Sequence, residues 1–171
     1  MTNIFTFQGM RLCGIDISGL YFTNNVNLKG VDFSESDLSK CTFEGCLENC
    51  NFNKSIINET RFNGGLKNCS LEQINFQNID YNGLTFTNCD FRGSLLANLS
   101  MKSCNFTGSY FDYCNFDNSN FSGSNFTSCK MNKMSCEQTN FQSSNFSSTV
   151  RSATDFSTAD MKNATNLILN N

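Results

Sequence analysis

The stretch CNFDNSNFSGSNFTSC, from Cys114 to Cys129, carries Phe at 116, 121 and 126, one every fifth residue. A helix repeats its faces about every 3.6 residues and a strand every 2, so neither presents one face at this interval. Stepping by five from Phe116 in both directions gives an unbroken register from Leu66 to Met161. Of its twenty centres, eighteen carry an apolar or aromatic side chain other than Cys; the exceptions are Cys136 and Arg151. A chain with this spacing cannot be read as ordinary helices or strands. It is a repeat array.

Upstream the beat continues with small slips. Phe7, Leu12, Ile17 and Phe22 form one group, Leu28, Phe33, Leu38 and Phe43 a second, and Leu47, Phe52, Ile57 and Phe62 a third. The step is six residues after Phe22 and four after Phe43 and Phe62. Each slip falls at the end of a group of four, so four units make one structural turn. Two residues before each centre sits a second set of small or apolar side chains, among them Ile15, Leu20, Val26, Val31, Cys41, Cys50, Cys69, Ile79, Cys89, Cys104, Cys114 and Cys129. All eighteen Phe fall in these two positions, seventeen as centres and Phe5 two before one. Asn, Asp, Ser, Thr, Gly, Lys and Gln dominate the other three. Two positions face in and three face out.

Units such as CDFRG (Cys89 to Gly93), CNFTG (Cys104 to Gly108), SNFSG (Ser119 to Gly123) and ADMKN (Ala159 to Asn163) resemble the pentapeptide-repeat family. The resemblance runs from about Phe5 to Asn163. It implies an all-β fold, a right-handed quadrilateral β-helix with four pentapeptides per coil and a turn at each corner. The groups of four give about eight coils, with 1–163 as the β-helix and 164–171 as a short C-terminal cap or tail. Elementary physics favours the same shape. A strand with one apolar face cannot bury it alone, so coils stack, each covering its neighbour. At a strand spacing of about 4.7–4.9 Å, eight coils stand roughly 35–40 Å tall. Gly or Asn at the last position suits a turn that needs φ > 0. The absence of Pro suits a ladder that would lose a donor to it.

Three places are expected to depart from the pattern. Arg151, in TVRSA, would put a charge on the axis, so a local bulge that turns Val150 inward is expected there. The beat fails at Asn166, and Leu167, Ile168 and Leu169 are expected to fold over the end. Only Met1 to Ile4 precede the first unit, leaving Phe5 and Phe7 on an open edge able to pair with another chain.

Composition narrows the function. The net charge is −3 and no basic run occurs, which argues against direct nucleic-acid binding. No apolar run approaches the ~18 residues that span a bilayer, and no signal peptide is visible. The reading is a soluble protein of a reducing cytoplasm, with its ten Cys as free thiols. There is no His, which removes the commonest general base and the commonest metal ligand. No Gly-rich phosphate loop and no CxxC pair with zinc spacing are present. No catalytic, cofactor or metal site is expected, and the chain is read as non-enzymatic. Cys50, Cys69 and Cys89 fall in one slot of successive coils and are read as packing rather than as a metal or redox site. Cys13 and Cys46 fall at outward positions, within reach of a thiol reagent.

Sorting charges by side leaves one asymmetry. The side of centres 17, 38, 57, 76, 96, 116, 136 and 156 holds Asp16, Asp37, Glu59, Asp117, Glu137 and Asp155 against Lys40 alone, a net charge of −5. These acids form two patches, separated by the uncharged units around Phe76 and Leu96. The leading functional reading is a scaffold whose flat faces bind a protein partner, its identity unknown. The resemblance supplies the alternative. Some members of the family occupy the DNA-binding saddle of type II topoisomerases such as DNA gyrase, protecting against quinolones or peptide toxins. On that reading the acidic side imitates DNA phosphates. Self-association through Phe5 and Phe7 is a third expectation.

Overall fold

Every fifth residue the chain turns, and the Phe116 unit shows how. The Ser119 N–H donates to the Phe116 carbonyl at 3.1 Å, and Asn118 between them has φ +58°. This is the β-turn that requires positive φ at its third residue. The same turn follows Phe111, Phe121 and Phe126, with Tyr113, Gly123 and Ser128 at φ +63°, +70° and +59°. The residue ahead of each centre stabilises the turn. Asn115 Oδ1 accepts a hydrogen bond from the Asp117 N–H at 2.8 Å, and Asn120, Asn125, Asn140 and Asn145 repeat the contact in their own units. The Asn or Asp before each Phe is therefore a local backbone acceptor, the familiar habit of these residues in turns. Sequence periodicity had marked them only as outward-facing.

The computed structural model describes residues 5–76 and 80–167. Four such turns close a coil, and coils stack in parallel. On one wall Arg11 pairs with Asp32, Asp32 with Asn51, Asn51 with Ser70, then Asp90, Tyr110, Lys130 and Val150 in succession. The first step spans 21 residues, the next two 19 each, and the later ones 20. These are the lengths the slips predict. Among the described residues, eight two-residue strands flank the corner where the slips fall: β1 (Phe5–Thr6), β2 (Tyr21–Phe22), β3 (Val26–Asn27), β4 (Thr42–Phe43), β5 (Leu47–Glu48), β6 (Arg61–Phe62), β7 (Leu66–Lys67) and β8 (Phe86–Thr87). β1 pairs with β3, β2 with β4 and β4 with β6, and β5 with β7 and β7 with β8, all parallel. Shortening this corner draws the backbones together. A Cβ on Gly64 would strike the backbone of Gly45 and Cys46, and one on Gly65 (φ +77°) would lie 2.7 Å from the Thr85 carbonyl oxygen. The Gly64–Gly65 pair makes the four-residue step passable. The fold is an all-β, four-walled helix, and we number its walls by the first centres, Phe7, Leu12, Ile17 and Phe22.

The centres fill the axis. Phe86, Phe106, Phe126 and Phe146 stack on the first wall, with successive centroids 5.5, 5.1 and 5.3 Å apart and planes within 16°. Most rings on adjacent walls meet edge to face, as Phe106 and Phe111 do at 81°, while Phe116 and Phe121 stack at 4.3 Å. Both are favoured aromatic geometries, so each ring satisfies its coil neighbours and its wall neighbours together. The slot two before the centre does more than fill space. Ser94, Ser109, Ser119, Ser124 and Thr139 each donate their hydroxyl to a centre carbonyl of the preceding coil, at 2.6–2.9 Å. Cys104, Cys114 and Cys129 do the same through sulfur at 2.9–3.0 Å. A small side chain that can donate satisfies a buried turn carbonyl, which explains why Ser, Thr and Cys interchange there. Ile79, assigned to this slot, lies outside the described residues.

Arg151 corrects the sequence reading. No bulge forms: Val150 is 56% exposed and keeps its ladder place, its N–H donating to the Cys129 carbonyl at 2.9 Å. Swinging Val150 inward would break that bond and the one from Met131 N–H to the Val150 carbonyl. Arg151 instead stays in the centre slot, half-buried, with its guanidinium 5.6 Å from the Phe156 ring centroid. Cys136, the other exception, is buried and donates to the Asp155 carbonyl at 3.0 Å. Beyond Asn163, Thr165 still bridges Asn145, and Leu167 packs partly buried against the core. Ile168, Leu169 and Met1 to Ile4 lie outside the described residues.

The turn geometry makes sharp expectations. Phe116→Ala, at a fully buried ring, should cost roughly 3–5 kcal/mol in denaturant unfolding. Asn115→Ala, which removes one turn acceptor, should cost about 1 kcal/mol. At the positive-φ corner, Asn118→Gly should be near neutral and Asn118→Val should cost about 1–2 kcal/mol. Equal effects of Gly and Val at 118 would contradict the turn.

Candidate interaction surface

Because the centre and the slot two before it point inward, the outer surface is built from the three remaining positions of each unit. The third wall carries the six acids that sequence reading singled out. Asp16 and Asp37 are ladder partners in adjacent coils, and Asp37 pairs onward with Ile56. Like charges stacked directly across a ladder are unfavourable, so this arrangement is not one that sheet stability selects. Among the described residues, the ion pairs lie on the first and second walls. Lys29 and Lys67 reach Glu48 at 2.9 and 3.9 Å, and Arg92 reaches Asp90 and Glu72 at 2.6 and 3.3 Å. Arg11 approaches Asp32 at 3.8 Å. Exposed pairs like these add little stability, but they neutralise their walls. The acids of the third wall stay unneutralised.

The structure separates those six carboxylates by role. Asp16, Asp37 and Asp155 each accept the N–H of a Ser two residues on, at 2.8–2.9 Å. The Ser18 and Ser157 N–H groups hold the Asp16 and Asp155 carboxyls below the usual carboxylate range. Asp117 Oδ1 reaches up one coil, accepting from the Ser135 hydroxyl at 2.6 Å and the Glu137 N–H at 2.8 Å. Among the described residues, the Glu59 and Glu137 carboxylates accept no hydrogen bond and stand exposed. Asp117, Glu137 and Asp155 gather around Cys136. Burial first, and then these three carboxylates, push its thiol up to about 12. Asp16, Asp37 and Glu59 form the other patch, with Asn75 and Leu95 on the wall between the two. The wall thus presents two acidic patches on one flat side.

Sequence reading passed over a second surface. On the second wall Tyr110 and Lys130 are ladder partners, and Lys130 Nζ lies 4.9 Å from the Tyr110 ring centroid. At its edge Lys133 Nζ sits 5.5 Å from the Tyr113 ring, and Tyr113 is 64% exposed. Only stacking of residues 20 apart shows these pairs, which a five-residue beat alone does not reveal. A depression of about 250 Å³ on the fourth wall is lined by Arg61, Asn63, Asp80 and Asn82 among others, with Asp80 its one carboxylate. It holds no acid–base pair. Among the described residues, no three Cys, Asp or Glu side chains come together as a metal-holding group. Nor is any helix long and apolar enough to cross a membrane.

Two family models match this sequence: one described as pentapeptide repeats (8 copies), which matches residues 22–47, and one for a pentapeptide repeat region, which matches residues 65–135. The chain is a pentapeptide-repeat protein. Its fold is similar to that of HetL, a pentapeptide-repeat protein involved in heterocyst differentiation regulation in the cyanobacterium Nostoc sp. strain PCC 7120. That match has a TM-score of 0.61 at 14% identity, covering 94% of this chain and 89% of HetL. It is also similar to a trypsin-treated variant of QnrB1, a plasmid-mediated fluoroquinolone resistance protein. There the TM-score is 0.54 at 20% identity, over 91% of this chain and 77% of the other. At such identities the likeness is one of fold. A comparison with curated proteins finds no match.

In this pentapeptide-repeat protein the cysteines divide by exposure. Cys41, Cys50, Cys69, Cys89, Cys104, Cys114, Cys129 and Cys136 are buried, Cys13 is half-buried and Cys46 exposed. Burial pushes Cys104 up to about 11 and Cys114 and Cys129 to about 12. For Cys69, the Cys50 thiol pulls down while Cys89 and burial push up, leaving it at about 12. These four thiols therefore stay protonated and unreactive at neutral pH. A chromogenic disulfide reagent should modify two thiols of the native protein, Cys13 and Cys46, and all ten after unfolding. A third fast-reacting thiol would contradict the burial pattern. The pH dependence follows from the same shifts. A raised thiol pKa contributes stability below the unfolded value near 9, and that stability is lost as pH climbs toward about 12. The midpoint of denaturant unfolding should be steady from about pH 6 to 8 and fall steadily above about 9.

Proposed function

We propose that this pentapeptide-repeat protein is a non-enzymatic scaffold of the cytoplasm whose flat walls dock a protein partner. The observation that supports this most directly is the division of labour within each unit. Two side chains are committed to the core, and the residue before the centre to its own turn. What remains on each wall is a flat two-dimensional array set by the coil spacing. Such surfaces serve recognition of other macromolecules rather than enclosure of a small substrate. Immobilised protein should retain a defined partner from lysate, and Glu59→Lys with Glu137→Lys should abolish that retention. A bound partner indifferent to every wall substitution would remove the reading.

A second reading has an observation of its own. The third wall stacks Asp16 on Asp37 and keeps its carboxylates clear of the ion pairs seen on the first and second walls. We infer that this wall imitates the phosphates of DNA for a type II topoisomerase. Fold likeness to QnrB1 supports the inference. Purified protein should alter gyrase supercoiling at micromolar concentration, with or without a quinolone. Reversing Glu59 and Glu137, whose side chains are free of turn contacts, should erase the effect while leaving the melting temperature unchanged. No effect of the native protein would sink this reading.

A further inference from the structure

The first coil differs from those above it in one respect. Its four slots two before the centre hold Phe5, Met10, Ile15 and Leu20, all large and apolar. In later coils that slot is mostly Ser, Thr or Cys, and its side chain reaches toward the preceding coil. Among the described residues, no coil lies below the first to receive these groups. Phe5 is 68% exposed, Met10 45%, Ile15 39% and Leu20 47%, together an apolar ring on the end of the solenoid. Three of the four corners above this ring are glycines, Gly9, Gly14 and Gly19, with open space around each. From Phe5 to Asn25 the only charges are Arg11 and Asp16, one of each sign. Natural sheet edges are usually blunted by charge, bulges or Pro. This edge has no Pro, and its two charges, Arg11 and Asp16, cancel.

We propose that the end closes against a second copy of the chain, N-terminal face to N-terminal face, about a two-fold axis. The axis runs through the corner between the second and third walls. It lays the second wall of each copy over the third wall of the other, with strands antiparallel. Arg11 then faces the Asp16 of the second copy, and Asp16 faces its Arg11, so both charges are matched by one symmetry operation. Backbone chemistry fits the same arrangement. In the coil above, Asp32 uses both its N–H, to the Met10 carbonyl, and its C=O, from the Leu12 N–H. Arg11 and Asp16 hold the equivalent places in the first coil, and among the described residues their N–H and C=O groups are unpaired. Two facing residues that each offer an N–H and a C=O are what an antiparallel hydrogen-bonded pair exchanges. The interface is isologous, so it closes at two copies.

Head-to-tail stacking fits poorly. The far end is partly covered by Thr165 and Leu167, and its centre slot holds the Arg151 guanidinium. An apolar ring set against that cation would desolvate it without an anion.

Sedimentation velocity of the full chain over about 1–100 μM decides the matter. A monomer–dimer equilibrium is expected. Ile15→Lys and, separately, Phe5→Lys should each leave the protein monomeric with an unchanged melting temperature. Arg11→Asp or Asp16→Arg alone should weaken dimerisation about tenfold, and the two together should restore it. Three results would each overturn the proposal: a monomer at every concentration, species growing beyond the dimer, or a charge swap that fails to rescue.

Discussion

The structure depends on a β-turn whose third residue has positive φ, repeated at nearly every corner. Its geometry sets the five-residue step, and the step sets everything else. Because the turn brings the chain round by a quarter of a coil, each centre lands beneath its counterpart 19 to 21 residues on. The ring stacks and the ladder of backbone bonds follow from that coincidence. Among the described residues, twenty non-glycine residues accept positive φ, Glu35, Lys40 and Tyr113 among them. Each carries local strain that an isolated peptide would relax. Only the surrounding stack holds them there, so the turns and the stack are stable together or not at all.

Much of this was legible in the residues because the core repeats without interruption. The spacing of Phe located the axis, and the slips after Phe22, Phe43 and Phe62 located one corner and the unequal coils. What periodicity could not show was how a polar side chain is used. Asn115 and Asn118 lie three residues apart, yet one accepts a turn N–H and the other occupies the strained corner. An Arg on the axis looked too costly to keep in register. The ladder bonds around Val150 prove stronger than that expectation, and the Phe156 ring face gives the cation a neighbour. On the surface, the acidic wall could be counted from the sequence. The division of its carboxylates between turn and solvent, and the Tyr–Lys pairs of the second wall, needed coordinates because they depend on residues about 20 apart.

The likeness to HetL and QnrB1 at 14% and 20% identity shows how weakly the fold constrains outward positions. A wall residue answers to its turn and to the coils directly above and below. Where the side chain is free of both, as the Glu59 and Glu137 carboxylates are, the fold constrains its chemistry least, although Glu59 also holds the positive-φ place in its turn. The stacked pair Asp16 and Asp37 answers to its turns, each accepting a Ser N–H, at the cost of a like-charge contact across the ladder.

The buried thiols give this chain an unusual kinetic fate. Eight sulfhydryls are concealed by the same stack and should therefore emerge together when it opens. In a reducing solution such an opening leaves no trace, because the coils can close again. Before an oxidant, a single excursion exposes thiols that the closed stack keeps out of reach. The lifetime of the protein in oxidising surroundings is then a count of openings, governed by the unfolding rate rather than by the free energy of the folded state.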